Sequence, residues 1–185
     1  YVYGESSAGE GGILTLSLYN ENGNQTHTAV KPSVTDGTYN IGGDCIVTES
    51  RYDADGNVTA SIDGEGHKTS MSYDIEGQLK QVMQPGGAVT KFAYGKVTSD
   101  GTSRVTTTDA GGSKSDVVTD ARGLEMSITD YAGGTTAGIQ RTYEYDWEGN
   151  VTKEKELEGN YKTFTYDSKG RNTVVKYHKA DGTET

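Results

Sequence analysis

The chain has 185 residues, 31% of them apolar, a formal net charge of −10 and a mean hydropathy of −0.72. One domain's length of sequence this polar excludes a thick globular core, and no apolar run approaches a membrane span. The acidic balance, without clustered or repeating Lys and Arg, excludes nucleic acid and anionic membrane surfaces as main partners.

Low apolar content with high net charge is the composition of disordered chains. Two features oppose that reading: Tyr occurs 13 times, and apolar residues alternate at fixed places in a repeat. A core one side-chain layer deep, extended along an array, accommodates both.

Residues 1–12 hold four Gly and little pattern, and are expected to be a loop or frayed end. The start, Tyr1-Val2-Tyr3-Gly4, is no signal peptide, and both ends read as cut from a longer array. Leu14 to Tyr19 alternates apolar and polar and predicts a strand. Asn20-Glu21-Asn22-Gly23-Asn24 then supplies turn chemistry. From there to Cys45 an irregular insertion is expected, because Tyr19 to Tyr52 spans 33 residues.

The regular pattern begins with Tyr52-Asp53-Ala54-Asp55-Gly56-Asn57-Val58-Thr59. It returns 21 residues later as Tyr73-Asp74-Ile75-Glu76-Gly77-Gln78-Leu79-Lys80, and wears down to Tyr94-Gly95 after another 21. It appears again as Tyr145-Asp146-Trp147-Glu148-Gly149-Asn150-Val151-Thr152, and 21 residues on as Tyr166-Asp167-Ser168-Lys169-Gly170-Arg171-Asn172-Thr173. A fixed period of this size marks a repeat architecture. Asp at the first turn position accepts backbone N–H bonds, and Gly three residues later takes a positive φ. Asp63-Gly64-Glu65-Gly66, Pro85-Gly86-Gly87 and Glu158-Gly159-Asn160 close the opposite end. Each unit is then a β-hairpin that passes directly into the next.

Two positions before each Tyr stands another bulky group: Met71 before Tyr73, Phe92 before Tyr94, Tyr143 before Tyr145, Phe164 before Tyr166. Period two places each pair on one strand face. Stacked hairpins should lay these side chains in a ladder, each packing on the next. Between residues 95 and 140 the pattern is degenerate. Asp109-Ala110-Gly111-Gly112 and Asp120-Ala121-Arg122-Gly123 keep the turn spacing, with Thr119 in the place of Tyr. Thr129-Asp130-Tyr131-Ala132-Gly133-Gly134 is expected to close the opposite end.

These residues resemble the YD repeats of the RHS family, which includes bacterial polymorphic toxins, B/C components of insecticidal toxin complexes, wall-associated proteins and teneurins. The resemblance is good over about 48–94 and 141–183, and loose over 13–47 and 95–140. It implies a long β-sheet spiralled into a hollow shell. In toxin members that shell encloses a C-terminal toxin; in teneurin-like members it is a scaffold for adhesion. YD repeats have also been linked to carbohydrate binding. Shell-type members often end in a core segment whose aspartates cleave off the cargo. No Asp-Pro-x-Gly motif of that kind occurs in these 185 residues.

Little points to chemistry. Cys45 is alone, so no internal disulfide forms, and it reads as a small buried or half-buried hydrophobe. His27, His67 and His178 have no metal-ligand spacing and are expected to be solvated loop residues. Asp53 with Asp55, Asp74 with Glu76 and Asp146 with Glu148 recur in every turn, which turn formation explains without a glycosidase pair. Asp53-x-Asp55-Gly56-Asn57 lacks the remaining ligands of a calcium loop. Asn24, Asn57 and Asn150 fit the glycosylation acceptor, but turn chemistry explains at least two of them.

The resulting expectation is an all-β fold of tandem YD-repeat hairpins in one continuous twisted sheet, part of a larger shell. Residues 1–185 form a single array, regular at 48–94 and 141–185, degenerate at 1–47 and 95–140. Tyr52, Asp53, Gly56, Tyr73, Asp74, Gly77, Tyr145, Asp146, Gly149, Tyr166, Asp167 and Gly170, with Met71, Phe92, Tyr143 and Phe164, carry the repeat. The expected role is structural and non-catalytic, without cofactor or metal, in a secreted or cell-surface bacterial protein. Its partners are further repeats of the same polypeptide and an enclosed or displayed polypeptide such as a toxin. The alternative is an adhesion module for a glycan or receptor, with Trp147, in a turn, as the candidate contact.

Overall fold

Short runs of alternating apolar and polar residues, broken by Asp, Asn and Gly, form strands throughout. The computed structural model describes residues 2–8, 14–30, 33–35, 38–40, 45–96, 101–132 and 137–185. The chain divides into two units, Tyr1–Val89 and Thr90–Thr185.

The first unit holds β1 (Val2–Ala8), β2 (Leu14–Tyr19), β3 (Gln25–Val30), β4 (Ser33–Thr35), β5 (Thr38–Asn40), β6 (Ile46–Tyr52), β7 (Val58–Ile62), β8 (Lys68–Tyr73) and β9 (Leu79–Met83). Its sheet runs β1-β2-β3-β6-β7-β8-β9, each antiparallel to its neighbour. β4 and β5 form a separate small hairpin within the irregular insertion. Residues 2–8 correct the sequence reading: instead of a loop they are a strand. Tyr3 pairs with Leu18 and Ser7 with Thr15, and a bulge takes up Gly4 and Glu5. A backbone ladder on the edge of β2 needs no side-chain periodicity, which is why the pattern missed it.

The second unit holds β10 (Val89–Lys96), β11 (Ser103–Thr108), β12 (Lys114–Thr119), β13 (Glu125–Tyr131), β14 (Ile139–Tyr145), β15 (Val151–Lys155), β16 (Tyr161–Tyr166) and β17 (Asn172–His178). These pair antiparallel in chain order. Tyr94-Gly95, read as a worn repeat turn, lies inside β10, with Tyr94 opposite Val105 and Gly95 opposite Arg104. Without Asp after the Tyr, nothing collects the backbone N–H groups of a turn, and the ladder continues. Thr129 to Tyr131 is likewise strand rather than turn, and Gly133-Gly134 lies outside the described residues.

The all-β class and the tandem hairpins are as the sequence pattern implies. The core is thin: among the described residues the buried apolar side chains are Leu16, Ala29 and Ala60. Leu16 faces Ala29 across β2 and β3, a large residue on a small one. The expected ring-on-ring ladder is replaced by another arrangement. Met71, Tyr73, Phe92, Tyr143, Tyr145, Phe164 and Tyr166 are half-buried, and Tyr94 is 40% exposed. Among the described residues the stacked rings are Tyr161 and His178, 4.4 Å apart and 9° from parallel. The repeat tyrosines reach along the sheet to backbone carbonyls instead.

Candidate functional site

The repeated feature is built from three local devices: a turn, a bulge and a tyrosine hydroxyl. In the turn after Tyr73, Asp74 Oδ1 accepts the N–H of Glu76 at 3.0 Å and that of Gln78 at 2.9 Å. The backbone closes the loop, Gly77 N–H to Asp74 O at 3.1 Å and Asp74 N–H to Gln78 O at 2.9 Å. Gly77 takes φ +79°, a conformation that costs an L side chain steric energy. The same bonds recur at Asp53, Asp120, Asp146 and Asp167, and at Asn20, where an amide oxygen replaces the carboxylate.

The bulge comes immediately after each such turn. Tyr52 faces Val58, but Arg51 faces Ala60, so Thr59 is an extra residue. The same shift leaves Thr26, Lys80, Met126, Thr152 and Thr173 as the extra residue in their hairpins. Thr26 Oγ1 donates to Leu18 O at 3.2 Å and Thr173 Oγ1 to Thr165 O at 3.0 Å, so a bulge threonine bonds the facing strand's backbone. The bulge solves a parity problem. Side chains alternate faces along a strand, and the repeat has an odd period. One extra residue per unit returns Tyr73 to the face of Tyr52, and Tyr166 to the face of Tyr145.

The third device joins one repeat to the one before. Tyr73 Oη donates to Val58 O at 2.9 Å, and Tyr166 Oη to Val151 O at 2.9 Å. Tyr52 Oη donates to Gln25 O and Tyr145 Oη to Glu125 O, both at 2.7 Å. In each case the acceptor is the first residue after the preceding turn on that side. Sequence reasoning missed this bond, because periodicity gives a side chain's face and not its hydroxyl's partner. The constancy of Tyr at a place where Phe would fill the same volume was the available signal.

Neighbouring turns also touch. Arg122 Nη1 donates to Asp146 O at 3.1 Å, and Ala180 N–H to Asn160 Oδ1 at 3.2 Å. The turn carboxylates are tuned by their donors. The Asn57 and Asn150 amides hold Asp53 and Asp146 below the usual carboxylate range, with the turn N–H groups adding to the effect. The Arg171 side chain does so for Asp167, and the backbone N–H of Leu124 for Asp120. Burial raises the Tyr145 hydroxyl above its ordinary value.

Within each unit the predicted site residues are thus distributed from strand to strand. Trp147 protrudes from the turn after Tyr145 and is 85% exposed; Ile75, at the same turn position in the first unit, is fully exposed. Cys45 is half-buried. The histidines correct the sequence reading in part. His67 is an exposed turn residue, but His27 and His178 lie in strands with their Nδ1 atoms buried. His178 Nε2 lies 3.1 Å from Thr163 Oγ1, and its ring stacks on Tyr161 beneath Lys153. A groove of about 250 Å³ is lined there by Glu154, Tyr161, Lys162, Tyr177 and His178. Among the described residues no group of His, Cys, Asp and Glu is placed to hold a metal ion.

Residues 52–89 match the RHS repeat. The matched stretch contains both Tyr-Asp-x-x-Gly turns of the first unit, and the same turn and hydroxyl geometry recurs at Tyr145 and Tyr166 in the second. No curated protein matches the chain. Among solved structures, the chain is similar to the Photorhabdus luminescens Tc holotoxin pore at 15% identity and TM-score 0.37, over 93% of this chain and 12% of that one. It is similar to the TcdB2-TccC3-Cdc42 structure at 13% identity and TM-score 0.39, over 93% of this chain and 14% of that one. A porin-like protein from Bacteroides uniformis is similar at 13% identity and TM-score 0.28, with 92% of each chain covered. The chain therefore spans about one eighth of the toxin chains it resembles.

Proposed function

We propose that this chain is a non-catalytic wall segment of a secreted or surface-displayed RHS-type protein. Further repeats of the same polypeptide flank it, and the wall encloses or displays another polypeptide such as a toxin. The observation that supports this reading is the recurrence of one stitch at Tyr52, Tyr73, Tyr145 and Tyr166. It commits the polar groups of each repeat to holding the next repeat in place. An array whose repeated side chains serve its own backbone is a building material, extended by adding copies. Electron microscopy of the full-length native polypeptide tests the proposal. A closed shell with density inside is expected; an open rod, or an empty tethered barrel, overturns it.

A second reading, an adhesion module for a glycan or receptor, is favoured by one feature. Trp147 and Ile75 place large apolar side chains in solvent at turn tips, where stability gives them no purpose. Trp147→Ala should then abolish binding in a glycan or receptor screen without moving the melting temperature. Unchanged binding, or no binding by the unmodified chain, removes that reading.

A further inference from the structure

The turn between β2 and β3 carries Asn22-Gly23 at its tip, the sole Asn-Gly step in the chain. Asn22 is exposed, and Gly23 sits at φ +80° with open space around it. Asn57 and Asn150, in the turns of the regular repeats, are protected in two ways. Asn57 Nδ2 donates to Asp53 Oδ2 at 3.1 Å and Asn150 Nδ2 to Asp146 Oδ2 at 2.9 Å. Each is also followed by a β-branched valine, which shields its own backbone nitrogen.

We infer that Asn22 is a site of spontaneous deamidation, and that the turn around it sets the rate. The backbone nitrogen of Gly23 attacks Cγ of Asn22, the C–Nδ2 bond breaks, and ammonia leaves with the proton given up by the amide. Water then opens the five-membered imide at one carbonyl or the other, giving aspartate or isoaspartate. One water enters, one ammonia departs, and no oxidant or metal takes part. In the folded turn Gly23 N–H donates to Asn20 O at 3.0 Å. Asn22 N–H and Asn24 N–H donate to Asn20 Oδ1 at 3.0 and 2.9 Å. Attack requires the Gly23 nitrogen to leave its bond, so local opening of the turn gates the reaction.

The product acts on the structure. Isoaspartate inserts a methylene into the main chain of a turn closed by bonds across five residues, and those bonds cannot all persist. The next residue after the turn, Gln25, carries the carbonyl that holds the Tyr52 hydroxyl at 2.7 Å. Deamidation at Asn22 therefore loosens the stitch of the first regular repeat. It also places a carboxylate in a groove shared with His27 and Arg51.

Peptide mass mapping of the whole chain during incubation at mildly alkaline pH, with isoaspartate resolved by fragmentation, tests this. Asn22 should convert several-fold faster than Asn57 and Asn150. Asn20→Ala, which removes the side-chain bonds that hold the turn shut, should accelerate conversion further. Asn22→Gln, which must close a less favourable six-membered ring, should suppress it without altering the fold. Conversion at Asn57 or Asn150 ahead of Asn22 overturns the site. An Asn20→Ala variant that folds and deamidates no faster overturns the gate.

Discussion

Tyr73 Oη donates to the carbonyl of Val58 at 2.9 Å, from the end of β8 to the first residue of the adjacent strand β7, at the foot of the preceding turn. The two residues are separated by 15 positions, as are Tyr166 and Val151. At Tyr52 the separation is 27 and at Tyr145 it is 20, because longer connections intervene, yet the acceptor holds the same place in the repeat. The bond is thus defined by position in the sheet and not by distance along the chain.

Tyr73→Phe should remove this bond and little else. The expected loss is about 1 kcal/mol, the net worth of an ordinary protein hydrogen bond. Tyr73→Ala should cost more, a few kcal/mol, since it also removes a half-buried ring. Glu65→Ala, at an exposed turn residue, serves as the near-neutral control. Thermal melts of the three variants give the ordering; equal effects of Phe and Ala at position 73 would show the hydroxyl to be idle.

Gly77→Ala isolates backbone strain. Nothing lies within 4 Å of a Cβ built at Gly77, so the substitution meets no steric clash, but φ is +79°. The cost should be roughly 1–2 kcal/mol, from the left-handed conformation alone. Asp74→Asn should be tolerated, because Asn20 already makes the same pair of bonds with an amide oxygen. Asp74→Ala should not, because the N–H groups of Glu76 and Gln78 lose their acceptor. Denaturant unfolding that ranks Asn below Ala in stability would refute this account of the turn.

Acid should weaken the fold in a defined window. Asp53, Asp63, Asp120, Asp146, Asp167 and Asp181 are all held below the usual carboxylate range by donated hydrogen bonds. A depressed folded-state pKa stabilises the fold above the unfolded value, about 3.9, and that contribution is lost as pH falls through the lower folded values. Self-repulsion of the chain works the other way, easing as pH approaches the pI of about 4.7. The melting temperature should therefore hold or rise slightly to about pH 4.5 and fall below about pH 4. Asp53→Asn should flatten the acid limb, and a melting temperature constant from pH 4 to pH 2 would exclude the mechanism.

The 21-residue period, the Tyr-Asp-x-x-Gly turns and the all-β class were legible because the turn residues have few alternative uses. Side-chain face was legible for Met71 with Tyr73 and for Phe164 with Tyr166, as strand periodicity requires. The destination of the tyrosine hydroxyls was not, because it depends on which carbonyl of the neighbouring strand comes within reach. β1 was hidden because a backbone ladder places no demand on residues 2–8, and Tyr94-Gly95 misled because a Tyr without the following Asp does not turn the chain. Of the candidate contacts, the exposure of Trp147 followed from its place beside Asp146 in a turn, while the buried Nδ1 atoms of His27 and His178 had no sequence mark.

The bulge makes the sharpest prediction, because it separates a residue's identity from its presence. Thr59 stands opposite no residue of β6: Val58 faces Tyr52 and Ala60 faces Arg51. Thr59→Ala keeps the extra residue and should cost no more than about 1 kcal/mol, the span of strand propensity. Deleting Thr59 removes it and still leaves Val58 opposite Tyr52 and Ala60 opposite Arg51, so the ladder closes without a bulge and Tyr73 keeps its face. Inserting a second residue after Thr59 does not allow this. With one residue bulged, every later residue slips by one, Tyr73 points to the face opposite Tyr52, and its hydroxyl can no longer reach Val58 O. The insertion should therefore lower stability by several times the cost of the alanine substitution, with protease sensitivity rising in β7 and β8. Equal stability of the insertion and the alanine variant would mean that residue count does not set the register, and that some other feature keeps the repeat tyrosines on one face.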